Sequence, residues 1–304
     1  MLKEIKSLFD LQQKFPTEQD CIDHLTKLRW DGLITSPFDP ESKVYKCKNN
    51  RYRCKNTGKY FNVKTGTMFD NTKISLQKWF MAIWLVTSNK KGISSAQLAR
   101  DIDTTQKTAW FMLQRIRKCF GIENDNHLDG DVEVDEAYIG GKNGNRHADK
   151  KVKNSQGRST KDKSAVVGMV QRQGKDNVHQ VDDVKASTLT NQIINYVSSD
   201  ARVFTDEYVG YNQVNVIYNH AIVYHSQGEF ANGDATTNTI ESFWAIVKRG
   251  VMGIYHFWSK KHLQLYLDEF TFRYNTRLRS DSWRFDYLLA NATVRTRYEE
   301  LIHG

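Results

Sequence analysis

Hydrophobic positions recur at helical spacing near both ends of the chain and alternate like strands in the middle. Thr17 is followed three positions later by Asp20, then by Ile22, Leu25 and Leu28, which predicts a capped helix. Ser75 can cap a second helix carrying Leu76, Trp79, Phe80, Ile83 and Val86. A short helix is expected near 94–102, then the polar turn Asp103-Thr104-Thr105. A longer helix follows from Gln106, with Ala109, Met112, Leu113, Ile116 and Phe120 on one face. Its other positions, Gln106, Lys107, Thr108, Arg115, Arg117 and Lys118, are read as exposed. Short helix, tight turn and longer basic helix make a helix-turn-helix candidate, although a plain helical hairpin has the same pattern.

Before these helices, after the Pro-containing loop 36–40, the short runs 43–47, 51–54 and 60–63 predict a small β-rich module. From 130 to 225 the period changes. Val132 and Val134 alternate with Glu133 and Asp135, and 165–170 is an apolar run. The turn 174–177 leads to a return strand, 178–184. Ser187 is expected to cap a helix carrying Leu189, Ile193, Tyr196 and Val197. Runs at 202–205 and 221–224 complete the set. The order β-β-β-α-β-(α)-β predicts an α/β fold with a sheet of mixed strand direction. From 238 to 300 two helical stripes follow, Ile240, Phe243, Trp244, Val247, Val251 and then Leu263, Leu267, Phe270, Tyr274.

The longest apolar run, from Trp79 to Val86, has eight residues, well short of the roughly 20 that span a bilayer. The first ten residues lack a signal-peptide pattern. The four cysteines form no C-x-x-C pair. A cytoplasmic protein without a disulfide framework is expected. The 304 residues include 44 Lys+Arg against 35 Asp+Glu, a net charge of +9, which suits a polyanionic partner. Residues 142–163 hold eight Lys/Arg, including Lys150 and Lys151, against two Asp. This segment reads equally as a solvated loop or a DNA-backbone contact.

Three acids stand near the ends of regular elements: Asp135 in VEVDEAYIGG, Asp206 in VFTDEYVGY and Glu241 in TNTIESFWAIVKRG. Clustered carboxylates repel one another without a cation, and Mg²⁺ takes such hard oxygen ligands. Two ions about 3.5–4 Å apart can stabilise the entering and leaving oxygens of a phosphodiester displacement. Lys248 lies seven residues after Glu241, about 20° short of two turns, so the two share a helix face. Glu136 and Glu207 follow the first two acids directly, and a strand neighbour points to the opposite face.

On these residues the chain resembles a bacterial insertion-sequence transposase of the DDE superfamily, in the family with an N-terminal zinc ribbon, a helix-turn-helix and a ribonuclease-H-like catalytic core. The resemblance runs through RYRCKNTGKYFNVKTGTMF, KWFMAIWLVTSNKKGISSAQLARDI, KTAWFMLQRIR, VEVDEAYIGGK, TDEYVGY, TNTIESFWAIVKRGVMGIYH and EFTFRYNTR. It implies three regions: a ribbon-like module at 1–70, a helix-turn-helix region at 71–122 and a catalytic domain at 128–304. It implies Asp135, Asp206 and Glu241 as catalytic acids holding two Mg²⁺ or Mn²⁺ ions. Lys248 matches a basic residue two turns below Glu241, and Arg249 follows it. Arg273, Tyr274 and Asn275 match a motif near the same helix.

The implied partner is DNA, as terminal inverted repeats and target, held by a homodimer or larger assembly. The expected contacts are Gln106, Lys107, Thr108, Arg115, Lys150, Lys151, Lys248 and Arg249. Metal-activated water would cut at the element end, and the freed 3′-hydroxyl would attack target DNA. A nuclease without strand transfer and a domesticated DNA-binding regulator are the rivals.

The chain departs from that family twice. SPFD (36–39) stands where a first C-x-x-C pair belongs, and Thr57 replaces the partner of Cys54. No structural zinc is expected, since such a site wants four N/S ligands. Tyr45, Tyr52, Tyr60 and Phe61 are expected to hold the module instead. Thr236 stands where the family often has His, and His225 is nearby.

Overall fold

In the computed structural model, residues 4–140, 147–152, 163–227, 233 and 235–303 are described. They fall into two compact units, 1–119 together with 278–304, and 120–277. The expected boundary near residue 70 is therefore not a boundary between compact units.

The first unit opens with α1 (Leu8–Lys14) and α2 (Glu18–Trp30). Thr17 and Asp20 form the expected reciprocal capping box on α2. Strands β1 (Val44–Lys46), β2 (Tyr52–Cys54) and β3 (Tyr60–Phe61) form an antiparallel sheet. Only half of the expected aromatic set lies inside this module. Tyr52 and Phe61 pack on Trp30 at ring-centroid distances of 5.5 and 6.1 Å. Tyr45 and Tyr60 are exposed, because they alternate onto the other face.

Cys54 is buried. Burial pushes its thiol up, but hydrogen bonds from the hydroxyls of Ser36, Ser42 and Thr57 and from the Thr57 backbone outweigh this and draw it down to about 6. The Cys47 thiol donates instead to the Tyr45 carbonyl.

Helix α3 (Leu76–Ser88) is capped by Ser75, as expected, and α4 (Ser95–Asp101) by Ser94. A four-residue turn leads from α4 into α5 (Gln106–Phe120). Gln106 and Lys107 are exposed, but Gln114, Arg115 and Arg117 are buried with the apolar stripe. The reading of Arg115 and Arg117 as surface residues is thus corrected. The Arg115 guanidinium donates to the carbonyls of Met68, Asp70 and Thr296 at 2.8–3.0 Å.

The second unit is built on five strands: β4 (Asp131–Gly140), β5 (Lys163–Gln171), β6 (Asp176–Val181), β7 (Arg202–Asp206) and β8 (Asn219–Val223). Their order is β6-β5-β4-β7-β8. The β4–β5 and β5–β6 pairs are antiparallel, and β4–β7 and β7–β8 are parallel. This is a sheet of mixed strand direction, as expected. The helices flanking it are α6 (Ala186–Tyr196), α7 (Asn238–Gly250) and α8 (Leu263–Asn275).

Strand alternation sorts the core into two layers. Val132, Val134, Ala165, Val167 and Met169 pack with Leu189 and Ile193 of α6. Ala137, Ile139, Val166 and Val170 pack with Ile240, Phe243, Trp244 and Val247 of α7 and with Leu267 and Phe270 of α8. Burying one such side chain contributes roughly 1.5–3 kcal/mol. The helix expected after β7 is replaced by two short 3₁₀ turns, Val209–Tyr211 and Val214–Val216. Helix α6 starts one residue before Ser187. Asp183 ties its start, accepting from the Lys185 N–H and the Thr188 hydroxyl.

The expected catalytic domain does not run to residue 304. Its last stretch belongs to the first unit, where α9 (Asp281–Ala290) and α10 (Tyr298–His303) lie. There Phe285 packs edge-on against Phe80, with centroids 5.4 Å apart.

Candidate active site

Asp135 sits midway along β4, Asp206 ends the neighbouring strand β7, and Glu241 is in the first turn of α7. Together with His225, Thr237, Trp244, Ala245 and Lys248 they line an open cleft of about 440 Å³. Three acids separated by 71 and 35 positions in sequence thus meet at one place, and Lys248 joins them from two turns down α7. Arg249, next to it, is exposed and does not line the cleft.

Burial and the charges of Glu136, Asp206 and Glu241 raise the Asp135 carboxyl to about 7, against a hydrogen bond from the Glu136 N–H. Burial is the larger cause, and the neighbouring carboxylates add to it. Glu241 is held by the Thr237 hydroxyl at 2.9 Å, with His225 Nε2 at 3.4 Å. Among the described residues no three His, Cys, Asp or Glu side chains are gathered tightly enough to enclose an ion. The donor chemistry nevertheless suits a hard divalent cation, which needs only one or two carboxylates besides water and phosphate. Asp135 and Asp206, with Glu241 across the cleft, could supply them.

The acids next in sequence do other work, as strand alternation predicts. Glu136 lies on the opposite sheet face and accepts from the buried Tyr211 hydroxyl at 2.9 Å. Glu207 accepts from the N–H groups of His225 and Ser226, fixing the segment that carries the imidazole. Thr236 shows no direct counterpart to the missing His. Its carbonyl accepts from Arg172, and His225 supplies the imidazole of the cleft from another segment.

Sequence reading missed Glu133 and Arg172. Glu133 is fully buried. Its carboxylate accepts from the N–H groups of Thr239 and Ile240 at 2.7 and 3.1 Å and from Arg172 Nε at 2.9 Å. It therefore caps α7 from β4, while Thr237, the residue at the N-cap position, gives its hydroxyl to Glu241. The available signal was Glu133 itself, a charge two positions before Asp135 on the same strand face.

The Arg273-Tyr274-Asn275 motif supports the site from behind. Tyr274 packs edge-on against Phe243 of α7 at 5.7 Å, and Asn275 bonds the Asp176 backbone and the Glu123 carbonyl. Arg273 pairs with Glu269. Among the expected DNA contacts, Gln106, Lys107, Lys151, Lys248 and Arg249 are exposed, Thr108 is half-buried and Arg115 is buried. Residues 141–146 and 153–162 and the Lys150 side chain lie outside the described residues, as does most of the basic segment 142–163. Among the described residues no helix is long and apolar enough to cross a membrane.

Comparison with known proteins places this unit. Residues 127–275 match the ISXO2-like transposase domain. A relative from Halobacterium salinarum, named as an uncharacterized protein in transposable element ISH50, is 28% identical over 279 residues, covering 85% of this chain and 91% of the relative. Two solved structures align more distantly. The Mos1 mariner paired-end complex with Mn is 13% identical, with a TM-score of 0.27, over 66% of this chain and 72% of that one. The Mos1 strand transfer complex is 13% identical, with a TM-score of 0.28, over 70% and 75%. The sheet that carries Asp135 and Asp206 and the helix that carries Glu241 all fall inside the span that matches the ISXO2-like transposase domain.

Proposed function

We propose that this chain is a DNA transposase that binds the ends of its element and carries out metal-dependent phosphodiester hydrolysis and strand transfer. The observation that carries the reading is the convergence of Asp135, Asp206, Glu241 and Lys248 on one cleft, inside the span that matches a transposase domain. Asp135 and Asp206, with Glu241, are the residues that would hold divalent metal. Mg²⁺ or Mn²⁺ bound there would supply positive charge to the oxygens that gain electron density during displacement at phosphorus.

The chain's own residues do the rest. Thr237 and His225 orient the Glu241 carboxylate toward the cleft. Lys248 offers an ammonium to a neighbouring DNA phosphate, two turns from Glu241. In hydrolysis, the oxygen of water bonds to phosphorus at the element end and the 3′ oxygen leaves as a hydroxyl. In transfer, that 3′-hydroxyl displaces a 3′ oxygen of the target strand. Gln106, Lys107 and Thr108, at the start of α5, would meet base edges in the major groove, as the first residues of a recognition helix do. Two ends must be held together, so a dimer or larger assembly forms on DNA.

The test is cleavage of a duplex carrying the gene's own flanking ends, with and without Mg²⁺, with Asp206→Asn run beside the parent. Metal-dependent cutting at the end by the parent alone supports the reading. Binding without cutting by either protein overturns it in favour of a DNA-binding regulator.

A further inference from the structure

The three-stranded sheet of the first unit carries a second set of cations, distinct in sequence from the expected DNA contacts. Residues 42–64 contain eight Lys/Arg and no Asp or Glu. Seven of the eight, Lys43, Lys46, Lys48, Arg51, Arg53, Lys55 and Lys59, are exposed. None of the seven forms an ion pair among the described residues. The inward face of this sheet is filled by Tyr52, Cys54 and Phe61. Its outward face is a row across the strands, because Tyr45 pairs with Arg53 and Arg53 pairs with Tyr60.

The rings in that row hold cations in place. Arg51 lies over Tyr60 at 4.7 Å and Arg53 approaches the same ring at 5.9 Å. Lys43 lies over Tyr45 at 5.5 Å. A cation parked on an aromatic face loses part of its rotamer freedom before any partner arrives, so the further entropy cost of binding is smaller. Guanidinium groups fixed in this way suit phosphate oxygens. An edge-to-edge strand partner is a poorer fit for so many like charges.

We propose that this outer sheet face is a binding surface for the phosphate backbone of duplex DNA. It would be a contact independent of base sequence and additional to the helix α5 contact. The proposal rests on DNA being the partner of the chain, as inferred above. Phosphate contacts position a protein on DNA, and base contacts elsewhere specify the site. A charged ribbon of this kind would hold flanking DNA while other elements read the end.

The experiment uses the full chain without Mg²⁺ and a fluorescent 30-base-pair duplex of arbitrary sequence. Affinity is measured across a salt series for the parent, for Arg51→Gln/Arg53→Gln/Lys43→Gln, and for Arg51→Lys/Arg53→Lys. The glutamine variant should bind roughly 10- to 100-fold more weakly at ~0.1 M salt. Its slope of log affinity against log salt should be shallower by roughly 0.9 for each phosphate that is no longer neutralised. The lysine variant should keep most of the slope, which separates removal of charge from damage to the fold.

If the parent binds and the glutamine variant shows the same affinity and slope, the proposal fails while the transposase reading stands. If the parent binds no duplex at all, both fail. Tighter binding of a single strand of the same length, abolished by Tyr60→Ala, would also overturn the duplex assignment, since it would mark a base-stacking platform.

Discussion

Glu133 and Asp135 lie two residues apart on β4 and face the same side of the sheet, where one fastens the start of α7 and the other faces the cleft that α7 completes. The distance from strand to helix is thereby fixed by a neighbour of the acid itself. Removing the Glu133 carboxylate takes one partner from the half-buried Arg172 and leaves the buried N–H groups at the start of the helix without that acceptor. Glu133→Ala should cost about 3–5 kcal/mol of stability, the usual loss for one half of a buried pair. Glu133→Gln retains an acceptor and should fold. It should cut DNA about 100-fold more slowly, because small misplacements of catalytic groups carry penalties of that order. Urea unfolding and single-turnover cleavage, run on both variants, separate the two effects. Full activity in Glu133→Gln would show that the cap does not set the position of Glu241.

Gly168 is the register partner of Asp135 on β5. A methyl group placed there would come within 2.7 Å of Ile240 Cδ1 and of Trp244 Cζ2, both on α7. The glycine thus lets the helix sit close to the strand beside Asp135. Gly168→Val should overpack this region, costing about 1–3 kcal/mol, and should also lower cleavage. Shortening the opposing side chains in Gly168→Ala/Ile240→Val should recover part of the stability that Gly168→Ala alone forfeits. Strictly additive losses in urea unfolding would count against the close approach.

Much of this arrangement was legible in the sequence, for reasons that differ by element. The caps Thr17 and Ser75 declared their helices because a cap is a local interaction. The alternation around Val134 exposed β4, and the two-turn spacing of Glu241 and Lys248 placed both on one face. Glu133 and Gly168 escaped because their meaning is tertiary, a strand carboxylate serving a helix more than 100 residues later and a missing side chain making room for that helix. Arg115 was misread for the same reason. A basic residue in an amphipathic helix reads as solvent-facing, yet three backbone carbonyls from distant segments satisfy its guanidinium.

Arg115 and Lys107 lie two turns apart on α5 and should therefore behave oppositely. Arg115→Leu strands three carbonyls that the guanidinium now satisfies. It should lower stability by about 1–3 kcal/mol or more while leaving the DNA affinity of the folded protein unchanged. Lys107→Ala removes an exposed ammonium. It should leave thermal stability within about 0.5 kcal/mol and weaken DNA binding, with a salt slope shallower by roughly 0.9. A drop in affinity for folded Arg115→Leu would return that residue to the DNA interface.

Asp268 on α8 gives the second unit a pH dependence that is separable from the cleft. Burial raises its carboxyl to about 6, against hydrogen bonds from Gln264 and Asn124, each 2.8 Å from Oδ1. An unfolded Asp titrates near 3.9, so between about pH 4 and 6 the native state binds more protons than the unfolded chain. The associated stability is fully present below about pH 4 and is lost as pH rises through about 6. A shift of about two units corresponds to about 3 kcal/mol. Asp268→Asn keeps an oxygen acceptor for both partners and cannot ionise. It should match the parent near pH 4 and exceed it by about 1–3 kcal/mol at pH 8. Part of the overall slope should survive in the variant, because the buried Asp176 carboxyl is also raised well above its ordinary value by burial. Denaturant unfolding of parent and variant at pH 4, 6 and 8 checks this, and an unchanged difference across the three would show that Asp268 stays ionised in the folded unit.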